Sequence, residues 1–190
     1  MEKSTDRRVR KTLQILRGGL TSLMKEKPIN EISVRELSEL CDINRGTFYL
    51  HYKDVFDMVE QLELELYREL EAILAKYDIH SDEQMLLMMK DLFAFLDENK
   101  DICSAILGKY GNSAFVMRVA TLMKAKYNYL WNSLKGNKST TYERSFWFMV
   151  SGAIGLIQEW LGCENPEPAD EIAELAYQLI FNGIKMLTWQ

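Results

Sequence analysis

The chain has 190 residues, 47% apolar and 27% charged, the mix of a globular protein with one domain or one small module joined to a larger one. Its longest apolar or small run, Phe146 to Ile157 with Ser151 included, has twelve residues; a membrane span needs about twenty, so no membrane partner is expected. Three scattered cysteines (Cys41, Cys103, Cys163) and two histidines (His51, His80) give no disulfide framework, no metal spacing and little material for a catalytic triad. The charged start, Met1 to Arg8, carries no secretory signal, so a cytoplasmic protein is expected.

Net charge is -5 but unevenly spread. Residues 1–53 hold 11 Lys and Arg against 7 Asp and Glu; the remaining 137 hold 12 against 21. A basic head on an acidic body points to a head that meets a polyanion, although an excess of this size also arises by chance.

Prolines occur only at 28, 166 and 168, and apolar residues recur at helical spacing throughout, so the fold expected is all-α with about nine helices. The first helix spans about Asp6 to Lys25, with Leu13, Leu16, Leu20 and Leu23 on one face, and Pro28 forbids its continuation. Ser33 and Glu36 form a capping box, with Ile32 and Leu37 as a hydrophobic staple, for a short helix ending at Leu40 or Cys41. Asp42 and Ile43 make a turn, and Asn44 caps a second short helix of about seven residues. Asp54 caps a long helix striped by Val55, Val59, Leu62, Leu66, Leu70 and Ile73. Further helices are expected from Ser81, from Asp101 to near Gly108, from Asn112 or Ser113 to Gly136, from Thr140 to Gly162, and from about Ala169 to Leu187.

Two short helices joined by a tight turn inside a basic head read as a helix-turn-helix. Val34, Leu37, Leu40, Ile43 and Phe48 are the expected inner faces. Arg35, Asn44, Arg45, Thr47, Tyr49 and His51 are left outward, donors and small groups suited to phosphates and base edges. Gly46 weakens a helix by about 1 kcal/mol but allows close approach of a ligand. The alternative is a core hairpin with solvated charges.

The stretch from Ile32 to Tyr52, above all Gly46, Thr47, Phe48, Tyr49, His51 and Tyr52, resembles the DNA-binding module of the TetR family of bacterial transcriptional regulators. The resemblance implies an N-terminal three-helix helix-turn-helix domain (1–53) joined to a C-terminal helical bundle (54–190) for ligand binding and dimerisation. It implies a homodimeric, nucleoid-associated repressor released from a double-stranded DNA operator by a small molecule, with no cofactor and no enzymatic activity. By position, Ser33 caps and contacts phosphate, and Arg35 contacts phosphate or base. Arg45, Gly46 and Thr47 open the groove-reading helix, and Tyr49 and His51 hold the backbone. Two departures stand out. Asp42 replaces the usual turn glycine, and Val55 replaces the usual lysine, so that phosphate contact is lost or passes to Lys53. Arg7, Arg8, Arg10 and Lys11 read as a solvated end, with a minor-groove arm as the alternative.

The body holds eighteen of the 21 aromatics and eight of the ten methionines. Met85, Met88, Met89, Phe93, Phe115, Met123, Tyr127 and Trp147 are the candidate lining for a small apolar or weakly polar effector; ordinary core is the competing role for each. Ser151, Gly152 and Gly155 form a strip of small residues, and Leu175 and Leu179 lie on the broad apolar face of the last helix. The family pairs these two helices across a two-fold axis. Control by a protein partner without a small-molecule effector is the second reading. An enzyme is the third, and no phosphate loop, metal spacing or nucleophile–base pair supports it.

Overall fold

The computed structural model describes residues 2–77, 81–133 and 140–188. Among these it has nine α-helices and no strand: α1 (Glu2–Glu26), α2 (Val34–Leu40), α3 (Arg45–Tyr49), α4 (Val55–Ala75), α5 (Asp82–Glu98), α6 (Lys100–Leu107), α7 (Ser113–Ser133), α8 (Thr140–Gly162) and α9 (Ala169–Thr188). A single 3₁₀ turn at Ile29–Glu31, unmarked by any cap signal, follows Pro28. Three elements depart from expectation. Helix α1 begins at Glu2 rather than about Asp6. The second short helix, α3, has five residues rather than about seven. Helix α6 begins at Lys100, so Asp101 lies inside its first turn instead of capping it. Gly136 and His80 lie outside the described residues.

The helices fall into two compact units. The first comprises Met1–Glu65 and Asp101–Asn112; the second comprises Leu66–Lys100 and Ser113–Gln190. Helix α4 contributes residues to both.

In the first unit, the i, i+4 and i+7 spacing of Leu16, Leu20 and Leu23 buries one stripe of α1, with Met24 beside it. Leu13 is only half-buried. α1 packs on α2, and the contact is tightest at Gly19. A Cβ there would lie 2.3 Å from Cys41 Sγ and 3.1 Å from Leu37 Cδ1. The Cys41 thiol donates to the Ile15 carbonyl at 3.4 Å. Burial pushes its pKa above the ordinary thiol value, which keeps it a packing group. α4 buries Val55, Val59 and Leu62 here, with Met58 fully covered. The 108–112 loop folds back on α6: Asn112 N–H donates to the Ile106 carbonyl at 3.1 Å, an approach that leaves no room for a Cβ at Gly111. This seats Asn112 Nδ2 2.9 Å from the buried Glu63 carboxylate.

In the second unit α5 packs along α9. Met85, Met88, Met89, Leu92, Phe93 and Leu96 of α5 are buried, as are Ile172, Ala173, Ala176 and Phe181 of α9. Alanines at 173 and 176 let the two backbones come close, and Lys90 bridges the pair outside the core, 2.7 Å from Glu174. Trp160 is the largest fully buried side chain; its ring packs against Phe93 and its Nε1–H donates to the Glu167 carbonyl at 2.9 Å.

The two adjacent glycines of α1 predict opposite mutational signs. Gly18 has open space around its Cβ direction, so Gly18→Ala gains helix propensity and stabilises by about 1 kcal/mol. Gly19→Ala has the same propensity gain but overpacks against Cys41, a penalty of about 1–3 kcal/mol. Urea melts of the two variants should move in opposite directions, and Cys41→Ala should rescue Gly19→Ala.

Candidate nucleic-acid interface

The surface is built from the caps outward. Ser33 has extended backbone, and its Oγ accepts from the Glu36 N–H at 3.1 Å, opening α2. The reciprocal half of the expected capping box does not form: the Glu36 carboxylate instead takes an ion pair from Lys27 at 2.5 Å. Ile32 and Leu37 are both buried, as a staple requires. α2 ends in a Schellman motif. Asp42 N–H donates to the Glu39 carbonyl at 3.3 Å and Ile43 N–H to the Ser38 carbonyl at 3.0 Å. Asp42 takes φ 53, the only non-glycine positive φ among the described residues. Aspartate is thus doing the work of the missing turn glycine at a modest conformational cost.

Asn44 caps α3, its Oδ1 accepting from the Gly46 N–H at 2.7 Å. A Cβ on residue 46 would stand 3.1 Å from that same Oδ1. Gly46 therefore serves the cap itself, a role more local than approach to a ligand. Phe48 is fully buried, 5.6 Å centroid to centroid from both Tyr49 and Tyr52. With Leu37 it forms the inner face that holds α2 and α3 together. Val34 and Ile43 are half-buried, and Leu40 is 55% exposed, so it is not the inner-face residue its spacing implied. Its Cδ2 lies 3.7 Å from where a Cβ of Gly19 would stand, so what cover it has comes from α1.

The candidate contact residues are placed as follows. Ser33, Arg35, Asn44, Arg45, Gly46, Tyr49 and Lys53 are exposed; Thr47 and His51 are half-buried. The Tyr49 ring is held edge-on by Phe48 while more than half of its surface faces solvent. Two apolar side chains join them unforeseen, Leu50 at 80% and Phe56 at 56% exposure. Glu39 is the other residue missed. Its Oε1 lies 2.8 Å from Arg35 Nε and 3.8 Å from Arg45 Nη2, so one carboxylate joins an arginine of α2 to one of α3.

α4 begins at Val55 with its cap doubled. Asp54 Oδ1 accepts from the Asp57 N–H, and Asp57 Oδ2 accepts from the Lys53 N–H, both at 2.8 Å. Val55 is buried, so this position presents no cation; Lys53 is the exposed cation at that junction. The bond from the Lys53 N–H, then that from Gln61, holds the Asp57 carboxyl below its ordinary pKa.

The body residues divide. Met85, Met88, Met89, Phe93 and Phe115 are buried, Met123 is half-buried and Trp147 is 40% exposed. Trp147 therefore does not line the interior as expected: it stands on the outward side of α8 beside Phe148, which is 80% exposed. The side chain of Tyr127 lies outside the described residues. Ser151, Gly152, Gly155, Leu175 and Leu179 are all exposed, with open space over both glycines.

The sequence profile for the C-terminal region of TetR-type transcriptional regulators matches residues 83–182, more than half of the chain. The chain belongs to the TetR family of transcriptional regulators. The HTH-type transcriptional regulator YxbF of Bacillus subtilis is 35% identical over 43 residues, 23% of this chain and only 11% of that protein. A TetR-like regulator from Rhodococcus sp. RHA1 superposes with a TM-score of 0.67 at 15% identity, covering 91% of this chain and 95% of that one. The regulator FadR from Bacillus subtilis, in complex with stearoyl-CoA, gives a TM-score of 0.61 at 14% identity, over 90% and 98%. A TetR regulator from Streptococcus agalactiae 2603V gives 0.57 at 17% identity, over 95% and 99%. At these identities the likeness to solved structures is one of fold.

The Asp57 network makes a prediction about acid. A carboxyl whose folded pKa is depressed contributes stability that is full above its ordinary pKa and lost as pH falls through the folded value. Asp57→Asn should be less stable than the parent at neutral pH and converge with it in strong acid, read by denaturant melts across the acid limb.

Proposed function

We propose that this TetR-family regulator is a homodimeric repressor that binds a pseudo-palindromic DNA operator through α2 and α3 and is released by a small apolar effector. The observation that carries the reading is α3 itself. Five residues, capped by Asn44 and anchored by Phe48, display Arg45, Thr47 and Tyr49 next to Lys53. Such a helix is too short to be a core element and has the donors a major groove reads. The functional division is that of residues 1–53, which read DNA, from residues 54–190, which respond and dimerise.

Within that reading Arg45 and Thr47 contact bases, with Arg35 on phosphate or base. Ser33, Asn44, Gly46, Tyr49, His51 and Lys53 position the backbone. Arg45→Ala should relax preference at one base pair per half-site by about 1–3 kcal/mol. Lys53→Ala should weaken all sequences alike and lower the slope of log affinity against log salt by about one unit. Fluorescence anisotropy on matched and mismatched duplexes across a salt series checks both, and the opposite assignment of phenotypes would refute the placement.

Dimerisation is assigned to α8 and α9. Phe148, Ser151, Gly152, Gly155, Leu175 and Leu179 leave apolar and small residues exposed on both helices of one protomer. Two-fold pairing supplies two copies of α3, and successive major grooves lie about 34–36 Å apart. A Cβ at position 155 has nothing within 4 Å beyond its own helix backbone, so a side chain starts into open space there. Gly155→Arg should therefore keep the fold while shifting sedimentation at micromolar concentration from dimer to monomer.

The effector reading rests on the buried Met85, Met88, Met89, Phe93 and Phe115, adaptable groups in the unit remote in sequence from α3. The FadR neighbour bound to stearoyl-CoA favours a ligand with a long apolar portion. α4, 21 residues and so about 30 Å long, is continuous through both units and is the natural lever.

A further inference from the structure

We propose that Glu39 is a specificity-determining residue: with Arg45 it forms a donor–acceptor pair that selects a G·C base pair in one orientation. The proposal rests on the DNA-binding reading and adds to it a residue of opposite charge.

A carboxylate on a surface that meets a polyanion is repelled unless it is neutralised or finds a donor. Glu39, in the last turn of α2, is well exposed, with 61% of its side chain accessible. Its Oε1 is held by Arg35 Nε at 2.8 Å, so the side chain has a fixed direction. That bond uses Nε and leaves both terminal amino groups of Arg35 for phosphate. Arg45, the first residue of α3, places its Nη2 3.8 Å from the same oxygen. The second oxygen, Oε2, accepts no hydrogen bond among the described residues. The free protein thus presents a guanidinium donor and a carboxylate acceptor side by side where α2 meets α3.

A G·C pair presents the complement. In the major groove guanine offers the acceptors N7 and O6, and cytosine offers the N4 donor. O6 and N4 are hydrogen-bonded to each other about 2.9 Å apart, so a donor and an acceptor that reach both must come from neighbouring side chains, as Arg45 and Glu39 do with Nη2 3.8 Å from Oε1. Arg45 on guanine and Glu39 on cytosine satisfy both edges of one base pair. Reversing that pair, or placing thymine O4 opposite Glu39, sets acceptor against carboxylate.

The test is selection from duplexes randomised over their central base pairs, with sequencing of the bound fraction, using the full chain, Glu39→Gln and Arg45→Ala. Glutamine keeps the size of the side chain, removes the charge, and both donates and accepts. For the parent, each half-site of the enriched motif should contain a G·C pair whose reversal costs about 5- to 150-fold in affinity. Glu39→Gln should lower that penalty several-fold, leaving the part that Arg45 supplies, keep the other positions intact, and bind a mixed-sequence duplex at least as tightly as the parent does. Arg45→Ala should lose preference at the same base pair. An unchanged motif in Glu39→Gln, or a uniform shift over all sequences, overturns the proposal while leaving DNA binding standing. A parent that enriches no duplex overturns the DNA-binding reading and the proposal together. Glu39 is a surface residue, so an unchanged melting temperature for Glu39→Gln shows that any loss is not one of folding.

Discussion

A helix of five residues has no stability of its own, because nucleation costs more than so few hydrogen bonds return. Everything the candidate interface does depends on holding α3 in place from outside. Three local devices do so. The Schellman turn, with Asp42 at φ 53, sets the direction in which the chain leaves α2. The Asn44 oxygen occupies a free N–H at the start of α3, and Gly46 leaves space for it. Phe48, fully buried, anchors the far side. The helix then ends after little more than one turn, and Leu50, His51 and Lys53 follow it in quick succession before α4 begins. The brevity of α3 concentrates polar groups into a short arc instead of spreading them along a cylinder.

The same economy shapes the electrostatics. The basic head owes its net charge to arginines and lysines, yet several of them are already paired, among them Arg35 and Arg45 with Glu39, Lys27 with Glu36 and Lys25 with Asp101. Exposed pairs of this kind contribute little to stability. Their effect is on geometry and on the charge that the surface displays. Of the acidic residues in the head, Glu36 serves as a tie to the segment before α2, whereas Glu39 stands among the candidate contacts. Net charge counted along the chain treats the two alike; their positions do not.

Where the signal is local, the fold is legible in the sequence. Caps at Ser33, Asn44, Asp54 and Ser81 work through bonds to residues two or three positions on, and each is made. Asp42 could be read as a left-handed turn residue from its place alone. The buried stripe of α4 follows from spacing, and even the odd Val55 falls on it. What was not legible depends on partners far along the chain or on competition between partners. Glu36 had two possible uses, and Lys27 outcompetes the cap. Gly19 is an ordinary helix residue until Cys41, 22 positions on, is brought against it. Glu63 looks like a solvated charge on an amphipathic helix, but the fold of the 108–112 loop carries Asn112 to it.

The body shows the same division with a further twist. Aromatic and methionine content alone groups Trp147 with Phe93, yet one is at the surface and the other buried. Helical phase separates them. Phe146 and Trp160 of α8 are fully buried and fourteen residues apart, close to four turns, which fixes the inward side of that helix. Phe148, Ser151, Gly152 and Gly155 then fall on exposed ground. On α9 the buried set, Ile172, Ala173 and Ala176, faces α5, and Leu175 and Leu179, one turn apart, remain outside. Two helices that each bury one stripe and still keep a second apolar stripe exposed have more hydrophobic surface than their own unit uses. Burial of that surplus is worth roughly 25 cal/mol per Å². A second copy of the chain, offering the identical surface across a two-fold axis, is the simplest partner able to recover it.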